Sequence, residues 1–370
     1  MISRIAVVGA GTMGVGIAQL CAQCGFSVKI HDAVPAALEA VTGKLKKGLD
    51  LAVLKGKLTT QQAERAFHSV DVVAPLTSLA GADLVIEAAS EVSTVKRTLF
   101  EALGKICPDA ILATNTSSLS VASLSEMVPR PGSVLGIHFF NPPVAMKLVE
   151  MIRTPKTDPE VFREAWEFVL LGLRKTPVDV KDTPGFIVNR VMRPYYVVSQ
   201  LALTQGRASI ADIDRQARDS GAPMGPFELM DLIGLDVNLA ITKAIYEALG
   251  RPERFTPPEL QEALVGSGAL GRKTGRGFYL YDEAGAKAGA NSQTFGFLPE
   301  GCRAEGHGRP PEEVWPRIQA ALRSEAQRAF EEGVAGKADI DLAIKLAMNF
   351  PKGPFEWPTE NAPASASKLL

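Results

Sequence analysis

The chain has 370 residues, 46% of them hydrophobic and 22% charged, and a net charge of −1 at pH 7. That length is too great for one compact core, so two or three domains are expected. The balanced charge gives no sign of nucleic-acid binding, and no run of about 20 apolar residues spans a membrane. Residues 1–9 read as a strand running into a glycine turn rather than as a signal peptide, so a cytoplasmic location is expected. Cys21 and Cys24 have CxxC spacing. Both fall on the first predicted helix with no second pair or nearby histidine, so helix packing is expected there and no metal.

Residues 4–8 are apolar and meet Gly9-Ala10-Gly11-Thr12-Met13-Gly14. A helical pattern over 16–23 follows, then a strand over 27–32 that ends in Asp32. Strand, glycine turn, helix, strand is the order a dinucleotide-binding fingerprint requires. Gly9 permits the tight turn, Gly11 lets the backbone approach a pyrophosphate, and Gly14 lets the helix pack close to the strand. Thr12 and Met13 complete the cofactor-binding turn, where the helix N-terminus faces the phosphates. Asp32 suits the ribose hydroxyls and repels a 2′-phosphate, and Ala33 follows instead of an arginine, so NAD is expected over NADP.

Residues 35–68 read as a basic helical insertion carrying Lys44, Lys46, Lys47, Lys55 and Lys57. A solvated helix face and the rim of a phosphate-bearing substrate's site both account for these charges. Next come a strand over 84–89 with Glu91 and Lys96 beyond it, a helix over 95–103, and a strand over 110–114 that ends in Asn115-Thr116-Ser117-Ser118. A helix over 121–127 leads to the strand 134–138. The alternation predicts an α/β, Rossmann-type doubly wound parallel sheet with helices on both faces. Polar residues at the C-terminal strand ends point into the ligand crevice, and Ser117 and His138 both lie there. The strand 176–180 closes this domain.

After Thr183-Pro184-Gly185-Phe186 the pattern becomes helical, over 187–204, from about 211, and over 226–249. The Gly- and Pro-rich segments 251–277 and 282–311 read as connections. The all-α part repeats. Ala211-Asp212-Ile213-Asp214 precedes Gly225-Pro226-Phe227-Glu228, and Ala338-Asp339-Ile340-Asp341 precedes Gly353-Pro354-Phe355-Glu356, with one residue more between the blocks. Proline suits the first turn of the helix that each block opens. The expected domains are 1–184 (with the insertion at about 35–68), a first helical copy at 185–282, a linker at 283–311, a second copy at 312–358, and a tail at 359–370.

Oxidising a hydroxyl to a carbonyl requires a bound nicotinamide, a base for the proton and a group holding the oxygen. His138, one of four histidines, is the natural base, since imidazole exchanges protons near neutrality. Glu150 could orient it as the acid of a His–carboxylate pair does. A strand-end histidine and a surface glutamate remain the alternative at this point.

The motifs together resemble the L-3-hydroxyacyl-CoA dehydrogenase family, including the 3-hydroxybutyryl-CoA dehydrogenases, over nearly the whole chain. They are the glycine turn through Val15-Gly16-Ile17-Ala18, Thr114-Asn115-Thr116-Ser117-Ser118-Leu119-Ser120, His138-Phe139-Phe140-Asn141-Pro142, Met146-Lys147-Leu148-Val149-Glu150, Asp182-Thr183-Pro184-Gly185-Phe186-Ile187-Val188-Asn189-Arg190, Pro223-Met224-Gly225-Pro226-Phe227-Glu228-Leu229, and Gly271-Arg272-Lys273-Thr274-Gly275-Arg276-Gly277-Phe278-Tyr279. The resemblance implies His138 as base paired with Glu150, and Ser117 and Asn189 as donors to the reacting oxygen. For NAD it implies Asp32, Glu91, Lys96, Asn141 and Lys273 besides the glycines, and for the acyl-CoA substrate it suggests Lys57. It implies a place in fatty-acid metabolism such as beta-oxidation, though butanoate, polyester and aromatic pathways use the same step. Short family members dimerise through the helical domain. Here the second copy is expected to pack on the first, giving a monomer or a differently built homodimer, and no second active site. The rival enzyme reading is a dehydrogenase of a free hydroxy acid or sugar acid (L-gulonate-type). A fused hydratase has no room, and a non-enzymatic reading needs a broken site, whereas Ser117, His138, Glu150 and Asn189 are all present.

Overall fold

The computed structural model describes residues 2–297 and 313–357. It divides into two units, Met1–Phe186 and Ile187–Leu370. The expected tail at 359–370 and the linker residues 298–311 lie outside the described residues.

In the first unit the described strands are β1 (Arg4–Val8), β2 (Ser27–His31), β3 (Val70–Val72), β4 (Leu84–Glu87), β5 (Ile111–Thr114), β6 (Val134–Phe139), β7 (Leu148–Arg153) and β8 (Thr176–Lys181). They form one sheet in the order β3-β2-β1-β4-β5-β6-β7-β8. The order reverses at β1, so the crevice where open α/β sheets bind ligands lies at the C-terminal ends of β1 and β4. Strands β1 to β6 pair in parallel. Val7, Ile30, Ile86, Ile137 and Met151 of the sheet are buried with Ile17 and Leu20 of the helix Thr12–Gln23.

The all-parallel expectation needs one correction, because β7 runs antiparallel to β6 and only then pairs in parallel with β8. Residues 140–147 between them contain no helix, and a parallel crossover needs a dozen residues or more, so the chain turns straight back. The basic insertion is two helices, Pro35–Leu54 and Thr60–His68, the second opened by a capping box between Thr59 and Gln62. Its five lysines are exposed.

In the second unit the helix expected over 187–204 is two, Val188–Val191 and Arg193–Thr204, with Pro194 in the first turn of the second. The one expected over 226–249 breaks into Pro226–Ile233 and Leu235–Ala248 at Gly234, whose φ of +100° no helix accepts. The segments read as connections hold regular structure that their glycines and prolines concealed. The first contains the helix Glu259–Gly266. The second contains the strand Lys287–Ala290, paired antiparallel with Tyr279–Tyr281, and the short helix Gln293–Gly296.

The repeat has a physical basis. In the first copy Asp214, inside the helix Ile210–Asp219, accepts hydrogen bonds from the Phe227 and Glu228 amides and so caps the next helix. In the second copy Asp341 accepts one from the Phe355 amide. A Cβ on Gly225 would lie 2.2 Å from Asp214 Oδ1, and one on Gly353 would lie 2.3 Å from Asp341 Oδ1. Only glycine lets the carboxylate in. Glu228 and Glu356 each accept from the amide of that glycine, and Arg218 and Lys345, four residues after each aspartate, pair with them.

The second copy packs on the first. Its helix Trp315–Glu331 lies against Arg193–Thr204, and Tyr195, Trp315, Phe350 and Trp357 make edge-to-face and tilted ring contacts. Gln216 of the first copy accepts hydrogen bonds from the Val314 and Trp315 amides, capping a helix of the second.

Burial pushes the Asp214 carboxyl up to about 7 and Asp231 up to about 6, outweighing hydrogen bonds from Tyr279, Tyr281 and backbone amides. Both lie above the ordinary carboxylate value, so the folded chain holds these protons more tightly than the unfolded one. Their contribution to stability is full below pH ~4 and is lost as pH rises through ~6 to ~7. Asp214→Asn is expected to flatten the dependence of Tm on pH across that interval. Parallel curves for the variant and the parent would show that Asp214 does not titrate there.

Candidate active site

The glycine turn follows β1 directly. Gly9 has a φ of +107°, and a Cβ there would stand 2.4 Å from the Ala88 carbonyl oxygen. A Cβ on Gly14 would meet the Gly9 carbonyl at 1.8 Å, so turn and helix interlock. A Cβ on Gly11 would meet nothing within 4 Å. Open space therefore adjoins the start of the helix Thr12–Gln23, whose first turn carries no side-chain cap and no acid. Uncapped amides facing open space suit a pyrophosphate. Asp32, just past β2, accepts from the Ala10 amide at 2.7 Å and the Val34 amide at 2.9 Å, which fixes its carboxylate beside the turn. Cys21 lies on the helix and Cys24, expected there too, is its C-cap; burial raises both thiols. Among the described residues no group of three or more His, Cys, Asp or Glu could hold a metal.

Next in the sheet, Glu87 at the end of β4 is fully buried. It accepts from Lys96 at 2.6 Å, from the Ala89 amide at 2.7 Å and from Thr114 Oγ1 at 2.7 Å. Lys96 is buried too, and its ammonium also reaches Glu91 at 3.2 Å. Glu91 in turn accepts from the Thr116 hydroxyl, from the Ser117 amide at 2.8 Å and from the Ser118 amide at 3.0 Å. Burial opposes ionisation of Glu91, but Lys96 and these donors prevail and hold it below the ordinary carboxylate range. The two residues expected at the cofactor thus form a clamp on the loop that presents Ser117.

The β6–β7 pairing explains the twelve-residue spacing. His138 and Glu150 are direct cross-strand partners, and His138 Nδ1 lies 2.6 Å from Glu150 Oε2 with the two side chains 7% and 0% exposed. The rings of Phe140 and Phe186 flank the imidazole at 4.7 and 5.7 Å. Asn115 Oδ1 accepts from the Phe139 amide at 2.8 Å and so ties the end of β5, two residues before Ser117, to the strand of His138. Beyond β6, Asn141 is exposed on a loop that the buried Lys175 holds through the carbonyls of Pro143 and Met146, at 2.7 and 2.6 Å. Desolvation brings that ammonium down to about 8. A Cβ on Gly16 would sit 2.9 Å from Pro143, so the same loop touches the helix of the glycine turn.

The glycine turn, Asp32, Glu91, Lys96, Ser117, His138, Asn141 and Glu150 all belong to the first unit, as does Lys57, exposed after the helix Pro35–Leu54. Asn189 and Lys273 belong to the second. Asn189 is half-buried on the one-turn helix Val188–Val191. Lys273 pairs with Asp236 at 2.6 Å. Sequence reasoning missed Glu87, Asn115 and Lys175. Glu87 carried a signal, an acid closing a strand of otherwise apolar residues, whereas nothing local marks Lys175.

The family model for the 3-hydroxyacyl-CoA dehydrogenase NAD binding domain matches residues 4–183, and the one for the C-terminal domain of the same enzymes matches 185–281 and again 314–360. A 3-hydroxyadipyl-CoA dehydrogenase of Escherichia coli is 35% identical, covering 96% of this chain and 90% of that protein. A 3-hydroxybutyryl-CoA dehydrogenase of Mycobacterium tuberculosis is 38% identical across 76% of this chain and 99% of its own length. Among solved structures, 3-hydroxybutyryl-CoA dehydrogenase from E. coli superposes with a TM-score of 0.85 at 34% identity, covering 96% of this chain and 91% of that one. No described helix is long and apolar enough to cross a membrane. With a Rossmann-type NAD-binding domain followed by a helical C-terminal domain, the chain belongs to the NAD-dependent 3-hydroxyacyl-CoA dehydrogenase family of oxidoreductases.

Proposed function

We propose that the chain oxidises an L-3-hydroxyacyl-CoA to the 3-ketoacyl-CoA, reversibly, with His138 as general base and Glu150 as its orienting acid. The observation that carries this is the buried 2.6 Å contact between His138 Nδ1 and Glu150 across β6 and β7. It fixes the ring and commits Nδ1, so Nε2 is the nitrogen that takes the 3-hydroxyl proton. When bound, NAD would supply the acceptor for the hydride of carbon 3. Ser117 and Asn189 hold the reacting oxygen in line, and in the reverse direction protonated His138 returns the proton to the ketone. Gly9, Gly11, Thr12, Met13 and Gly14 receive the pyrophosphate, Asp32 the adenosine ribose, and Asn141 and Lys273 the remainder of the cofactor. Lys96 acts through Glu91. Lys57 contacts a phosphate of CoA.

His138→Gln should lower turnover by about 10²–10⁴-fold while leaving NADH affinity within a factor of two. Near-normal turnover would remove His138 as the base. The assay uses 3-ketoacyl-CoAs of increasing length, with 3-hydroxyadipyl-CoA and its 3-hydroxybutyryl counterpart in the oxidative direction. Activity on a free hydroxy acid together with none on any acyl-CoA would overturn the substrate class.

The turn separates structure from cofactor binding. Gly11→Ala places its methyl in open space, so wild-type Tm is expected with NAD affinity reduced at least ~10-fold. Gly14→Ala collides with backbone and should lose stability as well, by a few kcal/mol. Intact NAD affinity in Gly11→Ala would show that the pyrophosphate lies elsewhere.

For the assembly we propose a monomer, because the second copy already covers the helix Arg193–Thr204. Sedimentation at micromolar concentration should give one 39.5 kDa species, and a tight dimer formed through that helix would contradict it.

A further inference from the structure

Asn189 sits on a helix of four residues, Val188–Val191. A single turn does not hold itself, since helix nucleation is unfavourable until many residues join. Its position therefore has to be imposed from outside. Two arginines do this. Arg193 donates through Nε to the carbonyl of Asn189 at 2.7 Å, and is itself buried with its Nη1 on the Asn238 carbonyl and the Thr242 hydroxyl. Arg190, the next residue after Asn189, is fully buried. It gives Nε to Glu325 at 2.7 Å and its two terminal nitrogens to the two oxygens of Glu332, at 2.6 and 2.8 Å. Glu325 also receives Arg254 at 2.6 Å. Both glutamates belong to the second helical copy: Glu325 lies within the helix Trp315–Glu331 and Glu332 directly follows it.

We infer that the second helical copy is a positioning element of the active site, acting through Glu325 and Glu332 on Arg190 to fix Asn189. The guanidinium is a rigid planar fork, and a bidentate carboxylate sets its orientation as well as its charge. With Nε on one acid and both terminal nitrogens on another, Arg190 has little freedom to rotate, and neither has the peptide joining it to Asn189. The second copy thus lacks a catalytic histidine of its own yet bears on the reaction of the first. The inference rests on the reading of Asn189 as a holder of the substrate oxygen.

The test is a double-mutant cycle in the full-length chain. Glu332 is half exposed, so Glu332→Ala should stay folded even if Glu325→Gln does not. Glu332→Ala is expected to lower kcat by about 10- to 10²-fold, the cost of displacing a positioning group by about 1 Å, with NADH affinity unchanged. In an Asn189→Ala background the same substitution should have no further effect on kcat. An equal loss in both backgrounds would mean that the network only joins the two copies and would overturn the inference. So would a normal kcat in Glu332→Ala and Glu325→Gln while Asn189→Ala is impaired. A normal kcat in Asn189→Ala would instead overturn the reading of Asn189 itself, and this inference with it.

Discussion

The antiparallel pairing of β6 with β7 is the constraint on which the buried His138–Glu150 contact depends. Strand pairing works as a ruler: a slip of one residue would send every side chain of β7 to the opposite face and remove Glu150 from the imidazole. The register is therefore held at several points. Ile152 fills the space beside Gly136, where a Cβ would lie 2.9 Å away. Lys175 grips the connecting loop, and Asn115 joins β6 to the neighbouring strand. A carboxylate with no solvent exposure is costly unless hydrogen-bonded, so the partner that makes Glu150 useful also makes its burial tolerable.

The same economy recurs at Glu87–Lys96 and at Arg190–Glu325. Removing one member of a buried pair costs about 3–5 kcal/mol when its partner is left charged and dry, and here Glu91, Glu332 and Arg254 supply further counter-charges. Each pair stands one or two links from a residue assigned to substrate or cofactor. Glu87 fixes Lys96, which fixes Glu91, which receives the amides around Ser117. In each unit a buried charge holds the backbone beside such a residue.

Much of this was legible in the sequence. The glycine turn was marked by its pattern, and at Gly14 the interlock of turn and helix leaves no choice of residue, since a Cβ would strike the Gly9 carbonyl. The doubly wound sheet followed from the alternation of strands and helices, and the duplication from two short blocks in the same order. What escaped notice was set by tertiary contact. Strand β7 is buried on both faces, so its residues show no alternation, and its direction depends on a helix being absent from the loop before it. Lys175 reads as one basic residue among many, and only the fold brings two carbonyls to its ammonium. The helix breaks at Met192 and Gly234 lay inside unbroken apolar periodicity, which reports burial rather than continuity of the axis.

The duplicated aspartate cap places one hydrogen-bonding motif at two depths in a single molecule. Asp214 takes the Tyr279 hydroxyl as well as two amides, whereas Asp341 accepts from the Phe355 amide and remains 8% exposed. Burial raises both carboxyls, the deeper one up to about 7. Duplication thus left a natural paired comparison, in which nearly the same loop is read under two dielectric surroundings. In the shallower copy the carboxylate bears on the Phe355 amide. Titration of the deeper one near neutrality bears on two amides and a tyrosine hydroxyl at once.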